Sequence, residues 1–131
     1  MKKRPNVTVK LIFRYQDKTL ILKDKNGIFT IPGGRIEWEE SVFEALDREL
    51  IEELNYPLKI TPELFDVWNY ISKNRKRHSI FIYYIYQFDE KPKFSSPEKL
   101  QILWLTKKEM IQMHIINNKK FLNKIFNWEK Q

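Results

Sequence analysis

The chain has 131 residues, of which 42% are hydrophobic and 31% charged, as is usual for one globular domain. It contains no cysteine, which excludes disulfide bonds, zinc–thiolate sites, iron–sulfur clusters and cysteine nucleophiles. Lysine and arginine total 24 against 17 acidic residues, for a net charge of +7, and this excess indicates either polyanionic partners or a solvated basic surface.

The N-terminal quarter of the chain is predicted to be β-structure. Segments rich in β-branched and aromatic residues predict three strands, over residues 6–15, 19–23 and 28–31. Asn26-Gly27 precedes the third strand and is a typical hairpin sequence, because both residues accept positive φ angles. Pro32-Gly33-Gly34 is predicted to end that strand in a sharp turn.

Residues 42–54 are predicted to form a helix. Ser41 and Glu44 have the spacing of a capping box at its start. Asn55 suits the left-handed conformation just past a helix, and Pro57 prevents its continuation. Apolar side chains recur at helical spacing, at Val42, Phe43, Leu46, Leu50 and Leu54.

The second half of the chain is predicted to mix strands and helices. Four strands are predicted, over residues 57–60, 64–71, 78–88 and 100–105, and residues 78–88 are apolar enough to be central. Two helices are predicted, near 107–113, opened by a second capping box, and near 118–127. Because strands and helices do not alternate strictly, we expect an α+β fold with helices packed on a mixed sheet. We expect residues 1–131 to form a single domain.

Three glutamates lie on one side of the predicted helix. At about 100° per residue, Glu49, Glu52 and Glu53 fall within about 100° of one another. Like charges at this spacing cost roughly 0.2–0.5 kcal/mol per pair. Such a cluster suits a hard divalent cation such as Mg²⁺ or Mn²⁺, which prefers oxygen ligands. A solvated, glutamate-rich helix face is the alternative. The upstream glycines favour the cation, because they allow close approach of the backbone and offer a carbonyl ligand.

The spacing of residues 34–56 resembles the Nudix box. From Gly34, the chain has five residues, Glu40, seven residues, and then Arg48-Glu49-Leu50-Ile51-Glu52-Glu53-Leu54-Asn55-Tyr56. The family motif is G-x5-E-x7-R-E-U-x-E-E-x-G-U, where U is a bulky apolar residue. Asn55 replaces the last glycine, and the helix end should survive because asparagine tolerates the left-handed conformation. The resemblance implies the family's α/β/α sandwich, a mixed β-sheet with flanking helices.

The resemblance also implies the activity, a metal-dependent hydrolysis of a nucleoside diphosphate linked to another group. Mg²⁺ would be the cofactor, with Mn²⁺ as the alternative. The implied metal ligands are the Gly33 carbonyl, Glu49, Glu52 and Glu53, and Glu40 would be an accessory ligand through water or else a partner to the helix. The catalytic residues would be Arg48, Glu49, Glu52 and Glu53, with Arg48 orienting Glu49 by a charge-assisted hydrogen bond.

Two further sets of residues are expected at the site. Glu49 would be the general base, or else a carboxylate in the loop 89–99, where Glu98 is the best candidate and a further metal ligand. An ordinary loop acid is the equally weighted interpretation of Glu98. The substrate would be contacted by Arg35, Glu37 and Trp38, which flank the glycines.

The substrate is left open between several classes. A MutT-like nucleoside triphosphate pyrophosphohydrolase is favoured, and a nucleotide-sugar hydrolase of the ADP-ribose or GDP-mannose type is the alternative. An RNA 5′-end pyrophosphohydrolase is a further hypothesis, because the basic turn 73–78 could contact RNA; a solvated hairpin tip explains that turn equally well. A catalytically silent Nudix-fold binding module is disfavoured by the intact glutamates.

Targeting and partners follow from the same sequence. No apolar run approaches the roughly 18 residues that a membrane span needs. The basic N-terminus, Met1 to Arg4, is followed by no apolar signal segment, so a cytoplasmic protein without membrane partners is expected. The expected partner is the nucleotide substrate; RNA and a homodimer are left open.

Overall fold

Seven strands and three helices make up the part of the chain that the computed structural model describes, residues 3–130. In chain order they are β1 (Asn6–Tyr15), β2 (Lys18–Lys23), β3 (Phe29–Thr30), β4 (Gly33–Arg35), α1 (Val42–Leu54), β5 (Glu63–Ile71), β6 (His78–Phe88), β7 (Gln101–Thr106), α2 (Lys107–Gln112) and α3 (Lys119–Asn127). Met1 and Lys2 of the basic N-terminus lie outside the described residues, as does Gln131. No helix within the described range is long and apolar enough to cross a lipid bilayer.

The sheet is mixed and is built around β1. Strand β1 runs parallel to β6, from the pair Asn6–Ser79 to the pair Tyr15–Phe88. On its other side it pairs antiparallel with β4 near its start and with β2 at its end. Strand β2 pairs with β7 and β3, and β5 lies at the far edge on β6. The predicted central position of residues 78–88 is therefore confirmed.

Helices cover both faces of the sheet. On one face α1 buries four side chains against β1 and β2, at Ala45, Leu46, Leu50 and Leu54. On the other face α2 and α3 bury Met110, Phe121, Leu122 and Ile125. Because successive strand residues point to opposite faces, Leu11 packs under α1 while Ile12 packs under α3. The predicted α+β sandwich of a mixed sheet with flanking helices is confirmed.

Helix α1 has the predicted bounds because local signals fix both of its ends. The Ser41 hydroxyl accepts a hydrogen bond from the Glu44 N–H at 3.1 Å, and the Glu44 carboxylate accepts one from the Ser41 N–H at 2.9 Å. At the other end Asn55 has a φ of 52° and a ψ of 40°, and its N–H donates to the Ile51 carbonyl. Because both ends of α1 are fixed, the glutamates in its last turns have a fixed position along the sheet.

Asn55 provides a test of the helix end. Replacing Asn55 by alanine is expected to lower the free energy of unfolding by about 1 kcal/mol, because alanine pays the full cost of the left-handed conformation. Glycine at the same position is expected to leave it unchanged or slightly raise it. Urea unfolding followed by circular dichroism measures both, and equal stability of the two variants would show that the cap conformation contributes nothing.

Two predictions for the chain flanking α1 are wrong. Residues 57–60 form no strand: the N–H of Leu58 donates to the Asp47 carboxylate at 2.7 Å, and Leu58 and Ile60 pack against the α1 side of the core. Their apolar alternation serves packing without a sheet partner. Conversely, Gly33 and Gly34, predicted to form a turn, are part of strand β4. They are in extended conformation because β4 pairs with the long strand β1.

Candidate active site

The site forms where β4 meets the second half of α1. The N–H of Gly33 donates to the Glu53 carboxylate at 2.8 Å. Pro32 and Ile36 on either side of β4 are hydrogen-bonded to β1, so the alternation of an antiparallel ladder turns the peptide groups of Gly33 away from β1. The Glu49 carboxylate lies directly against Gly34. Two of the three predicted glutamates are thus brought to the glycines.

Glycine is required at both positions for different reasons. Gly33 has a φ of 134°, and a Cβ there would overlap the carbonyl oxygen of Val9 in β1. A Cβ on Gly34 would overlap the carboxylate of Glu49, which is the mobile end of a side chain. The first glycine therefore serves the strand pairing, whereas the second leaves room for a site carboxylate.

The variant Gly34→Ala tests the geometry of the site without disturbing the fold. We expect the variant to fold with nearly unchanged stability, because the Glu49 side chain can turn away, and to lose at least about tenfold in catalytic activity, because a displaced group loses its productive geometry. Gly33→Ala is the contrasting variant, and it is expected to lose stability because the overlap is with backbone. Thermal unfolding and a nucleotide hydrolysis assay compare the two; full activity of Gly34→Ala would show that the position of Glu49 does not matter.

Arg48 organises the acidic side chains around it. Its Nε and Nη2 donate to the two oxygens of Glu40 at 2.7 and 2.9 Å, and its Nη1 donates to Glu49 at 2.9 Å. It also donates to the backbone carbonyl of Arg35 at 3.0 Å. These bonds raise the pKa of Arg48, and the hydrogen bond from Arg48 lowers the pKa of Glu40 to about 2. Glu40 is therefore the principal partner of Arg48, and Glu49 the second.

The outer acids lie at the edge of this network. Glu52 is half exposed and its carboxylate is 3.7 Å from Arg48 Nη1. Glu37 is 3.9 Å from Arg48 Nη2 and two-thirds exposed. Both acids therefore face solvent and are free to meet a ligand that approaches the site.

The negative charges of Glu53 and Glu49 are only partly offset by the groups around them. Burial raises the pKa of Glu53 to about 7, and Glu49 and Glu98 add to this rise, although the Gly33 N–H and Lys10 oppose it. Burial also raises the pKa of Glu49 against the effect of Arg48. At neutral pH this pair holds negative charge in a desolvated place, which favours the uptake of a cation.

Lys10 belongs to the site although it was not predicted there. Its ammonium donates to the Ile31 carbonyl at 2.9 Å and interacts electrostatically with Glu53 and Glu49, while burial lowers its pKa. A lysine between the apolar residues Val9 and Leu11 of β1 was the available signal. Part of the positive charge that offsets the acidic face of α1 thus comes from β1.

A cavity of about 560 Å³ adjoins Lys10 on the α3 side of the sheet. Phe29, Phe81 and Tyr83 give it aromatic walls, and His114 lies at its far side. Its volume is that of a small-molecule site, and apolar walls with a few polar groups are typical of one. Lys10 therefore links this cavity to Glu49 and Glu53 through its charge.

The remaining predicted residues lie around the site. Arg35 is exposed in β4, where its carbonyl is the acceptor for Arg48. Trp38 is 85% exposed in the loop before α1. Glu98 is exposed in the loop before β7 and acts on Glu53 through its charge. The structure therefore joins Gly33, Glu40, Arg48, Glu49 and Glu53 directly and leaves these three at the periphery.

The donor chemistry fits a hard divalent cation. Among residues 3–130 no three acidic or histidine side chains already enclose a common point. The desolvated pair Glu49 and Glu53, with Glu52 beside them, nevertheless supplies oxygen donors whose negative charge Arg48 and Lys10 offset only in part. Carboxylate and carbonyl oxygens are the ligands that Mg²⁺ and Mn²⁺ prefer.

Comparison with known proteins identifies one family for most of the chain. A family model for the NUDIX domain matches residues 2–127. The ADP-ribose pyrophosphatase of Methanocaldococcus jannaschii is 35% identical over 85 residues, which cover 62% of this chain and 50% of that protein. The chain thus spans about half the length of this curated relative.

Two solved structures have a similar fold. The MutT NUDIX hydrolase from Burkholderia pseudomallei superposes with a TM-score of 0.72 at 22% identity, over 93% of this chain and 98% of that one. A bifunctional NMN adenylyltransferase/ADP ribose pyrophosphatase from Francisella tularensis, complexed with AMP and a Mn ion, has a TM-score of 0.69 at 21% identity, over 86% and 37% of the two chains. At these identities the likeness concerns the fold.

Proposed function

The chain belongs to the Nudix family, and from this premise we propose that it hydrolyses a phosphoanhydride bond in a nucleoside di- or triphosphate derivative with the help of Mg²⁺ or Mn²⁺. One observation carries the proposal. The desolvated carboxylates of Glu49 and Glu53 lie against the glycines of β4, and Lys10, which acts electrostatically on both, lines a cavity large enough for a nucleoside. The metal would be held by Glu49, Glu52 and Glu53, with the Gly33 carbonyl as a further ligand.

Each residue of the site has a distinct part in this proposal. A bound divalent cation would neutralise phosphate charge and acidify a water molecule. Arg48 is a positioning residue, since it ties Glu40 and Glu49 to the backbone of β4. Glu49 would accept the proton of the attacking water, because its carboxylate lies against Gly34 in the acidic cluster. Glu98 is the alternative base, and Glu98→Gln tests it.

A nucleoside triphosphate is the first candidate substrate. The aromatic cavity suits a base, with Phe29, Phe81 and Tyr83 as its walls. Lys10 lines that cavity and acts electrostatically on Glu49 and Glu53, so it would offer a positive charge to the phosphate chain. Such a substrate would be cleaved to a nucleoside monophosphate and pyrophosphate.

ADP-ribose is the second candidate substrate. It is favoured by the similarity of the chain to the ADP-ribose pyrophosphatase of Methanocaldococcus jannaschii, which shares 35% identity over the 85 matched residues. ADP-ribose would be cleaved to AMP and ribose 5-phosphate.

A nucleotide panel tests the proposal and separates the candidates. Nucleoside triphosphates, deoxynucleoside triphosphates, ADP-ribose and GDP-mannose are each incubated with Mg²⁺, Mn²⁺ or EDTA, and products are resolved by chromatography. We expect one substrate class to be consumed with either metal and none with EDTA. No consumption of any compound would favour a silent binding module, and hydrolysis that survives Glu52→Gln and Glu53→Gln would exclude the glutamates as its cause.

A further inference from the structure

A strongly basic cleft of about 410 Å³ lies where β1 and β6 begin. Six cationic side chains line it, and together they define the basic cleft: Lys3, Arg4, Arg35, Arg75, Lys76 and Arg77. No acidic residue lines the cleft, and between residues 3 and 130 no carboxylate lies within 4.0 Å of these six groups. Such a concentration of unneutralised charge is stabilised by an anionic ligand.

The turn between β5 and β6 holds three of these cations in place. The N–H of Arg77 donates to the Ser72 hydroxyl at 3.0 Å, and the N–H of Lys76 donates to the Asn74 side chain at 3.0 Å. Arg75 has a φ of 58°, a conformation that arginine seldom adopts. The turn therefore has a hydrogen-bonded backbone from which its basic side chains extend.

Arg35 connects the basic cleft to the candidate active site. Its side chain lines the cleft, while its backbone carbonyl accepts the hydrogen bond from Arg48. Trp38, three residues further along, exposes 85% of its surface. A strand of phosphates running through the cleft would reach the glutamates by way of Arg35, and Trp38 offers a face on which a base can stack.

We propose that the basic cleft binds the phosphodiester backbone of a single-stranded nucleic acid whose 5′-phosphorylated end enters the active site. This inference rests on the proposed function and specifies its substrate class. For a 5′-triphosphate end, water would form one P–O bond at the phosphorus next to the chain as the bond to the outer two phosphates breaks. The products would be a 5′-monophosphate end and pyrophosphate, and the water proton would pass to Glu49.

An anionic membrane fits the cleft less well than a nucleic acid. Surfaces that bind membranes combine cations with large apolar side chains that enter the lipid. The lining of the cleft contains no large apolar residue; Pro5 is its one apolar member. The cleft is also concave, and a groove follows a flexible strand better than it meets a flat bilayer.

Binding is measured first, by fluorescence anisotropy with a ten-nucleotide single-stranded RNA that carries a 5′-hydroxyl and cannot be hydrolysed. We expect affinity to fall with salt, and the triple variant R75Q/K76Q/R77Q to bind at least about tenfold more weakly, with a logarithmic salt slope smaller by about 2. The matched control K108Q/K119Q/K120Q loses the same charge from exposed positions of α2 and α3 and should bind like the wild type. Equal weakening in both variants, or no RNA binding, would overturn the inference.

Hydrolysis separates this inference from the function on which it rests. The R75Q/K76Q/R77Q variant should lose at least about tenfold in kcat/KM on a 5′-triphosphorylated RNA while keeping mononucleotide hydrolysis within about twofold. If no nucleotide is hydrolysed but RNA binding depends on the turn, the proposed function fails and the cleft stands as a binding site. Equal losses on both substrates would reject the cleft, as would cleft-dependent binding to phosphatidylserine vesicles without binding to RNA.

Discussion

Glu53→Gln is expected to lower kcat/KM for the nucleotide that the protein hydrolyses by at least about 100-fold. The substitution keeps the size of the side chain and an oxygen that can accept the hydrogen bond from Gly33. It removes one negative charge from the desolvated pair Glu49 and Glu53, and with it most of the attraction for a divalent cation. The loss should therefore come from chemistry and metal affinity while the fold stays intact.

Glu63→Gln is the matched control. Glu63 is an exposed acid at the start of β5, outside the network of Arg48, and its neutralisation removes the same charge from the chain. Steady-state rates across a range of Mg²⁺ concentrations should show the defect for Glu53→Gln alone, eased in part at high metal. Equal activity of the two variants would mean that Glu53 lies outside the catalytic machinery.

Glu53→Gln is also expected to stabilise the metal-free protein at pH 8, on the order of 2 kcal/mol. The pKa of Glu53 is raised from its ordinary value to about 7 in the folded protein, so the folded state favours the protonated form. The wild type therefore has the full contribution of this group below about pH 4.5 and loses it as the pH rises through 7. Glutamine resembles the protonated carboxyl and avoids that loss.

Urea unfolding in EDTA between pH 4.5 and pH 8 measures this difference. The two proteins should be about equally stable at the acidic end and diverge as the pH rises. Mg²⁺ at 100 times its dissociation constant should then stabilise the wild type by about 2.7 kcal/mol at pH 8 and the variant much less. A variant that is less stable than the wild type at pH 8 in EDTA would contradict the assigned burial of charge at Glu53.

The elements that sequence predicted well are those whose ends are set by local chemistry. Helix α1 has its predicted bounds because Ser41, Glu44 and Asn55 each act within a few residues of where they stand. The same holds for α2, which begins after Thr106 in a capping box with Glu109. The glutamates of α1 lie on one side of the helix for the equally local reason of helical periodicity.

The elements that sequence missed depend on partners far along the chain. Gly33 and Gly34 have little tendency to form strands, and only the length of β1 makes them β4. Leu58 and Ile60 have the alternation of a strand, yet the Asp47 side chain takes the hydrogen bond that a neighbouring strand would have taken. Lys10 escaped notice because its contact with the glutamates crosses from β1 to α1.

The parallel pairing of β1 with β6 also bears on the order in which the chain folds. The β1–β2 hairpin, β4 and α1 form from residues close in sequence, whereas β6 can join β1 only after the whole intervening chain has been closed into a loop. This closure carries a large entropic cost and is expected to slow folding. A nascent chain whose residues 78–88 are still in the ribosome leaves one edge of β1 unpaired, and we expect that edge to be open to aggregation during translation.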